Sequence, residues 1–500
     1  MISSLSILSR CTVFFGPVFF GTSLLSTKFF GVGWLSTLAL VVCLTGCDNS
    51  VPAEKPPVAA LPDTRPPLSV LIVEDEAFAA QLERLWNAQS ESKIETNVVT
   101  EQDFAADWNQ VAQADVVIYP SNWIGELASR DLLLKINPRL LDDESFSAAD
   151  VMPHDRERLT QWGRDTMAVS LGHRPWVLMY REDCLNAVGV EPPTTWAEYA
   201  KVCEKLGSPP ASVPGLDSSE WTPTVEPTDP AWITDLLLAR TASYISHRGS
   251  FCPYFNLRKR IPLVGSPAYV RGLTELLTHQ YPEKLGTTQG PSSGWERLMK
   301  GQCAMAIGWP GNIDDETEGT ASVRIQPLPG STSVYIHSSG EWRDRTNEEW
   351  KQVPYYGNPG RLISVTEASR RSGSAWGLIT WLSQKQNQRQ ICSSLSNAFP
   401  TRYSLLSQSD DWLSDKIPTQ AIQDLTSTVR TNQDEFVLMT PPRISGSQSL
   451  LDELQKAILD AKEGKSPENA LTETSKKWSE QMDERGSDSF IHEWENSLGL

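Results

Sequence analysis

The side chains able to do covalent or metal chemistry are scattered through this sequence rather than gathered into motifs. The six histidines, His154, His173, His247, His279, His337 and His492, never stand in pairs at metal-ligand spacing, and no two cysteines form CxxC. His492-Glu493 lacks the second histidine of a zinc-protease helix, and Gly464-Lys465-Ser466 lacks the upstream glycine of a phosphate loop because Leu459 stands there. There is no GxSxG elbow, and the 62 acidic residues offer no specific pair of the kind a glycosidase uses. The expectation is a protein without metal or cofactor that is not an enzyme. Tryptophan is the unusual feature, 18 residues against 14 Phe and 11 Tyr. A pyranose packs its apolar C–H face on a flat ring while its hydroxyls need polar partners at the rim, so this excess points to sugar recognition. Most single tryptophans still belong in a core, and helix position puts Trp86, Trp196, Trp376 and Trp381 there.

Any such site must be carried by the elements around it. Ser69–Val73 reads as a buried strand, Phe78, Leu82 and Trp86 as the stripe of a helix, and 96–100 and Ala114–Tyr119 as further strands, with a helix from Asn122 to Leu133. This alternation predicts an α/β layer structure with a mainly parallel sheet, and ligands of such sheets sit at the carboxyl ends of strands. Tyr119, Ser121, Asn122 and Trp123 fall at such an end. Met167–Arg181 contains a further extended run, Asp183 opens a helix closed by Gly189, and Thr195 with Glu198 forms a capping box. Residues 207–230, rich in Pro, Ser and Thr, read as a long surface loop, and the polar 331–353 segment as a surface insertion. Val270, Leu273 and Leu277 are expected to be the buried stripe of a helix begun by Ser266-Pro267. Later come the strand Cys303–Gly308, the strand 361–366, a helix over 375–382, a helix marked by Leu450, Leu454, Ala457 and Ile458, and a last helix begun at Ser466-Pro467.

Five hundred residues exceed one domain, and a net charge of -18 repels phosphate backbones, which excludes nucleic acid as a partner. Phe29–Leu44 is an apolar run preceded by Lys28, the layout of a secretory signal, and a second apolar block at Cys11–Leu25 makes the leader long. Leu44-Thr45-Gly46-Cys47 resembles a bacterial lipobox. On that reading 1–46 is a signal peptide and Cys47 a lipidated first residue, tethered by the proline-rich stretch 47–67 on the periplasmic side of the membrane; the alternative is an uncleaved anchor. Five cysteines remain. Cys184 and Cys203, on consecutive helices, are either bridged or small buried hydrophobes.

Longer stretches carry a family likeness. VLMYREDCLNAVGVEPPTTWAEY (Val177–Tyr199) resembles the signature of family 1 extracellular solute-binding proteins, the maltose-binding type. Met299–Trp309, Gln326–Gly330, Asn397–Arg402 and Lys465–Leu471 resemble further segments of that family in the same order, so the likeness covers about 68 to 482. It implies a two-lobed periplasmic-binding-protein clamp of type II. Residues 68–173 and 354–398 would form lobe 1, and 176–328 and 404–500 lobe 2, with the solute captured between them by a monomer and passed to ABC-transporter permease subunits. Tyr119, Asn122 and Trp123 match the family's sugar-gripping strand end, Arg174 a cleft position beside the hinge, Trp309 an aromatic that stacks on sugar, and Trp232 another. Arg361 opens a strand facing the cleft. The arginines would pair with an acidic sugar or hold salt bridges between lobes. A receptor presenting its ligand to a membrane sensor, and a protein for polyamines or acidic solutes, are the alternative readings.

Overall fold

The computed structural model describes residues 66–144, 146–250, 252–278, 289–310, 322–357, 360–392, 399–408 and 417–500. The expected leader, Cys47 and the tether as far as position 65 lie outside them. In chain order the main strands are β1 (Leu68–Val73), β2 (Ile94–Val99), β3 (Val116–Pro120), β4 (Val169–Gly172), β5 (Val177–Arg181), β6 (Thr222–Val225), β7 (Cys303–Gly308), β8 (Val323–Pro327), β9 (Ser333–Ile336), β10 (Glu341–Asp344) and β11 (Arg361–Val365). They make two larger sheets, ordered β2-β1-β3-β11-β4 and β8-β5-β7-β6, and a hairpin β9-β10. Helices cover both faces of the larger sheets, which is why β1, β3, β5 and β7 are buried almost throughout and mostly apolar rather than alternating.

One strand in each sheet runs against the others. In the first, β1, β2 and β3 are parallel while β11 is antiparallel to both β3 and β4. In the second, β6 and β7 are parallel while β5 is antiparallel to β7 and β8. The reversed strands are those the chain enters on arriving from the other sheet. Consequently the carboxyl ends of β1–β3 and the start of β11 share one edge, and the carboxyl ends of β6 and β7 and the start of β5 share another. The link 173–176 joins these two edges directly.

Several boundaries differ from the sequence reading. The extended run 167–181 is two strands in different sheets, broken where Gly172 takes φ 111°. A Cβ there would collide with the Phe399 carbonyl. The expected loop 207–230 contains β6, a buried edge strand. Pro223 is tolerated because only the neighbouring Thr222, Thr224 and Val225 pair with β7. The 331–353 insertion forms the β9-β10 hairpin, whose Trp342 meets Tyr244 edge-on at 6.1 Å. The helix after β3 is short, Ile124–Ser129 behind a 3-10 turn at Ser121–Trp123. In the helix Pro267–Thr278 the buried stripe is Tyr269, Leu273 and Leu276, rotated from the expected one. The helix Pro467–Glu484 is followed by another, Ser487–Ser497. The capping box is present, with the Glu198 amide donating to Thr195 Oγ1 at 3.2 Å.

Cys184 and Cys203 are both free and buried, so the bridge is absent. Cys184 lies beside Arg181 and Asp183, Cys203 beside Glu226 and Arg240, and burial raises both thiols, that of Cys184 to about 12. They are small core residues, as are the other three described cysteines.

Candidate functional site

The first edge is polar. β1 ends in Glu74 and Asp75, which hold φ of 58° and 73°, a left-handed pair unusual for non-glycine residues and a mark of a constrained site. Asp75 accepts from the Phe78 amide at 3.0 Å and so also starts the helix Glu76–Gln89. Arg361, at the start of β11, donates to the Val73 carbonyl at 2.8 Å and faces Asp75 Oδ2 at 3.5 Å. Glu101, just past β2, accepts from the Trp123 indole at 2.6 Å. Burial raises the Glu101 carboxyl, Glu74 adds to this, and Trp123, Asn122 and Arg361 oppose it. Burial likewise lowers Arg361 against the pull of Asp75, Glu74 and Glu101. Asn122 Oδ1, Asp75 Oδ2 and Arg361 Nε are buried without a hydrogen-bond partner. Such atoms need a ligand or water to be satisfied.

The second edge is aromatic. Trp176, Trp309 and Trp232 form a run of edge-on rings, 5.8 Å and 5.3 Å between successive centroids, extended by Tyr355 at 5.8 Å from Trp176. Tyr355 donates to Asp235 at 2.5 Å. Gly308 takes φ 145° and lies so close to Pro291 that no Cβ fits, and this ends β7 and aims Trp309. The Trp176 indole N–H is buried and unpartnered. Between the edges, Arg174 donates from Nη1 to the Pro310 carbonyl at 2.7 Å while its Nε is unpartnered, and burial lowers it to about 10.

Of the residues singled out in the sequence, Asn122 and Arg361 therefore stand together at the first edge, Trp309 and Trp232 together at the second, and Arg174 between them. Two have a different setting. Tyr119 is 0% exposed, with its hydroxyl paired to Ser364 at 2.9 Å, because its side chain points to the covered face of β3. The Trp123 ring packs against Phe104 and Trp108 at 5.9 and 5.5 Å and offers the edge only its indole N–H, already given to Glu101. Trp309 itself is 3% exposed and belongs to the second core, not to an open cleft wall. Sequence reasoning missed Glu74, Asp75, Glu101, Trp176 and Tyr355. The strand-end rule applied to β1 and β2, as it was to β3, would have found the three acids. Among the described residues no group of three or more potential metal ligands gathers, and no helix is long and apolar enough to cross a membrane.

A family model described as bacterial extracellular solute-binding protein matches residues 88–419, about two thirds of the chain. No curated protein matches significantly. Among solved structures, the chain is similar to an ABC-transporter solute-binding protein from Agrobacterium radiobacter K84 in complex with ribitol. The identity is 18% and the TM-score 0.60, over 83% of this chain and 98% of that one. It is also similar to the sugar-binding protein MalE from Xanthomonas citri, at 16% identity and TM-score 0.60, over 84% and 98%. A substrate-binding protein from Listeria monocytogenes in complex with cycloalternan gives 16% and 0.59, over 83% and 98%. The fold is thus the two-lobed one of maltose-binding-type proteins, with sheets flanked by helices, and the polar and aromatic edges belong to different sheets.

Proposed function

The chain belongs to the bacterial extracellular solute-binding protein family, and we propose that it captures a neutral sugar or sugar alcohol between its two edges and delivers it to an ABC importer. The observation that carries this reading is the facing of unlike chemistries across the link 173–176. Carboxylates and the amide of Asn122 at one edge suit hydroxyl donors; at the other, the half-buried Trp232, backed by Trp309, suits a C–H face. The solved relatives named above were crystallised with ribitol or cycloalternan, or are described as sugar-binding. Arg361 already faces the carboxylate of Asp75 and donates to Val73, and the carboxylates around it favour a neutral ligand over an acidic sugar at that edge. Lobe 1 is read as 68–173 with 354–398 and lobe 2 as 176–328 with 404–500, a reading supported as far as 365 by the strands that make up the two sheets. Attachment to the membrane through lipid on Cys47, with 1–46 removed as a signal, completes the reading. Binding shifts the clamp only through its differential affinity for the closed state.

A thermal-shift screen over monosaccharides, sugar alcohols, oligosaccharides, uronic acids and polyamines tests it. A ligand at 100 times its dissociation constant adds about 2.7 kcal/mol of stability. Hits confined to polyamines would overturn the sugar assignment. For the anchor, Cys47→Ala should release the protein from the membrane fraction, since one or two acyl chains supply the attachment.

A further inference from the structure

A cavity of about 330 Å³ shares no lining residue with the candidate sugar site. Its walls come from the single-turn π-helix His154–Arg158, which packs on β4 in lobe 1, from the segment 436–443 that pairs with Tyr355 and Tyr356, and from residues 246–250, Pro253, Tyr254 and the final helix of lobe 2. The size is at the lower end for small-molecule pockets, about 300 to 1,000 Å³. Phe436, Tyr254 and Trp494 give it aromatic faces, and Phe436 is 63% exposed, an unusual state for a large ring.

The charges lining it are lopsided for a chain of net charge -18. Arg158, Arg248 and Arg443 line the cavity, and its Glu157 is taken by Arg156 at 2.6 Å. Arg443 is buried and donates to the carbonyls of Leu159 at 3.1 Å and Ser497 at 2.6 Å, and it pairs with no carboxylate among the described residues. Burial and the nearby Arg158 lower it to about 10. Arg158 sits over the Phe436 ring at 5.0 Å and has no ion pair or hydrogen bond among the described residues. Arg248 is exposed and has Glu435 in its field. A guanidinium lying over an exposed aromatic ring at the wall of the cavity, with no carboxylate paired to it among the described residues, leaves a cation open to an anion.

We propose that this cavity binds a small organic anion, a carboxylate on an aromatic body, with its charge in the joint field of Arg158 and Arg443 and its ring against Phe436, Tyr254 and Trp494. Because the walls come from both lobes, occupancy also ties them together. The test is calorimetric titration of the full chain with phenylacetate, phenylacetamide and inorganic phosphate, and it needs no sugar, so it succeeds or fails independently of the function proposed above. Phenylacetate should bind one to one and at least about tenfold more tightly than the amide, as a charge-assisted contact requires. Arg158→Gln should abolish that preference, and Phe436→Ala should weaken phenylacetate while leaving its preference over the amide. Should Arg158→Gln unfold, the Phe436→Ala titration decides. Equal binding of acid and amide, tighter binding of phosphate than of phenylacetate, or no saturable heat up to about 10 mM phenylacetate each overturns the proposal.

Discussion

The two edges that meet at the link 173–176 are held in place by different physics. The polar edge keeps Glu74 and Asp75 in left-handed backbone and three carboxylates around one arginine, so its groups are positioned by strain and mutual charge. The aromatic edge is positioned by packing, each ring wedged edge-on against the next. The difference teaches that two joined strand-end edges need no uniform construction. At the polar edge buried polar atoms are left without partners, whereas at the aromatic edge Trp176, Trp309 and Tyr355 are core residues and Trp232 is half-buried.

Four variants break or sharpen this contrast. The largest effect is expected at Trp309, which is enclosed on both sides. Trp309→Ala should cost about 3 to 5 kcal/mol of stability, read as a shift of the urea midpoint, with loss of sugar binding following from it. A variant as stable as the parent would place that ring in the cleft after all. Next, Arg361→Met strands Asp75, Glu74 and Glu101 without their cation, at a cost of about 3 kcal/mol in the same measurement. A loss below about 1 kcal/mol would show that the polar edge is not held by charge. Trp232 is only half-buried, so Trp232→Ala should leave the midpoint within about 1 kcal/mol and weaken a sugar found in the screen at least about tenfold, which is 1.4 kcal/mol. Unchanged affinity removes it from the site.

The smallest effect is a pH slope from Glu101. Its carboxyl is raised in the folded protein, so the folded state holds the proton more tightly than the unfolded chain. Its contribution to stability is therefore present below the ordinary carboxylate value and is lost as pH rises through the raised one. Glu101→Gln should flatten that part of the stability–pH curve and leave the rest alone. An unaltered slope would mean that another carboxyl is responsible.

Local signals carried much of the fold. The run LSVLIV, the Phe78-Leu82-Trp86 stripe and the Thr195–Glu198 box each specify their element from within a few residues, because burial period and capping are local physics. Composition and motif absence pointed away from catalysis, and the segment at 177–199 to the family. Placement in space was another matter. Within 167–181 the family likeness places the passage between lobes at 173–176, but the apolar pattern alone does not locate the break, which depends on Gly172 meeting Phe399 from 227 positions further on. The strand β6 was hidden by its proline, which only an edge position allows.

The site shows the same division. The sequence by itself determined which residue types were available, tryptophans in excess and acids or amides after buried strands, and it located Asn122, Arg361, Trp232 and Trp309 as candidates. Only the tertiary structure decided that Tyr119 and Trp123 are supports, that Glu74, Asp75 and Glu101 share one arginine, and that Cys184 and Cys203 stay apart. The reason is that a side chain's role follows from which face of its strand is covered and what approaches from distant parts of the chain. That is settled by the pairing order of the sheets, which no local pattern encodes.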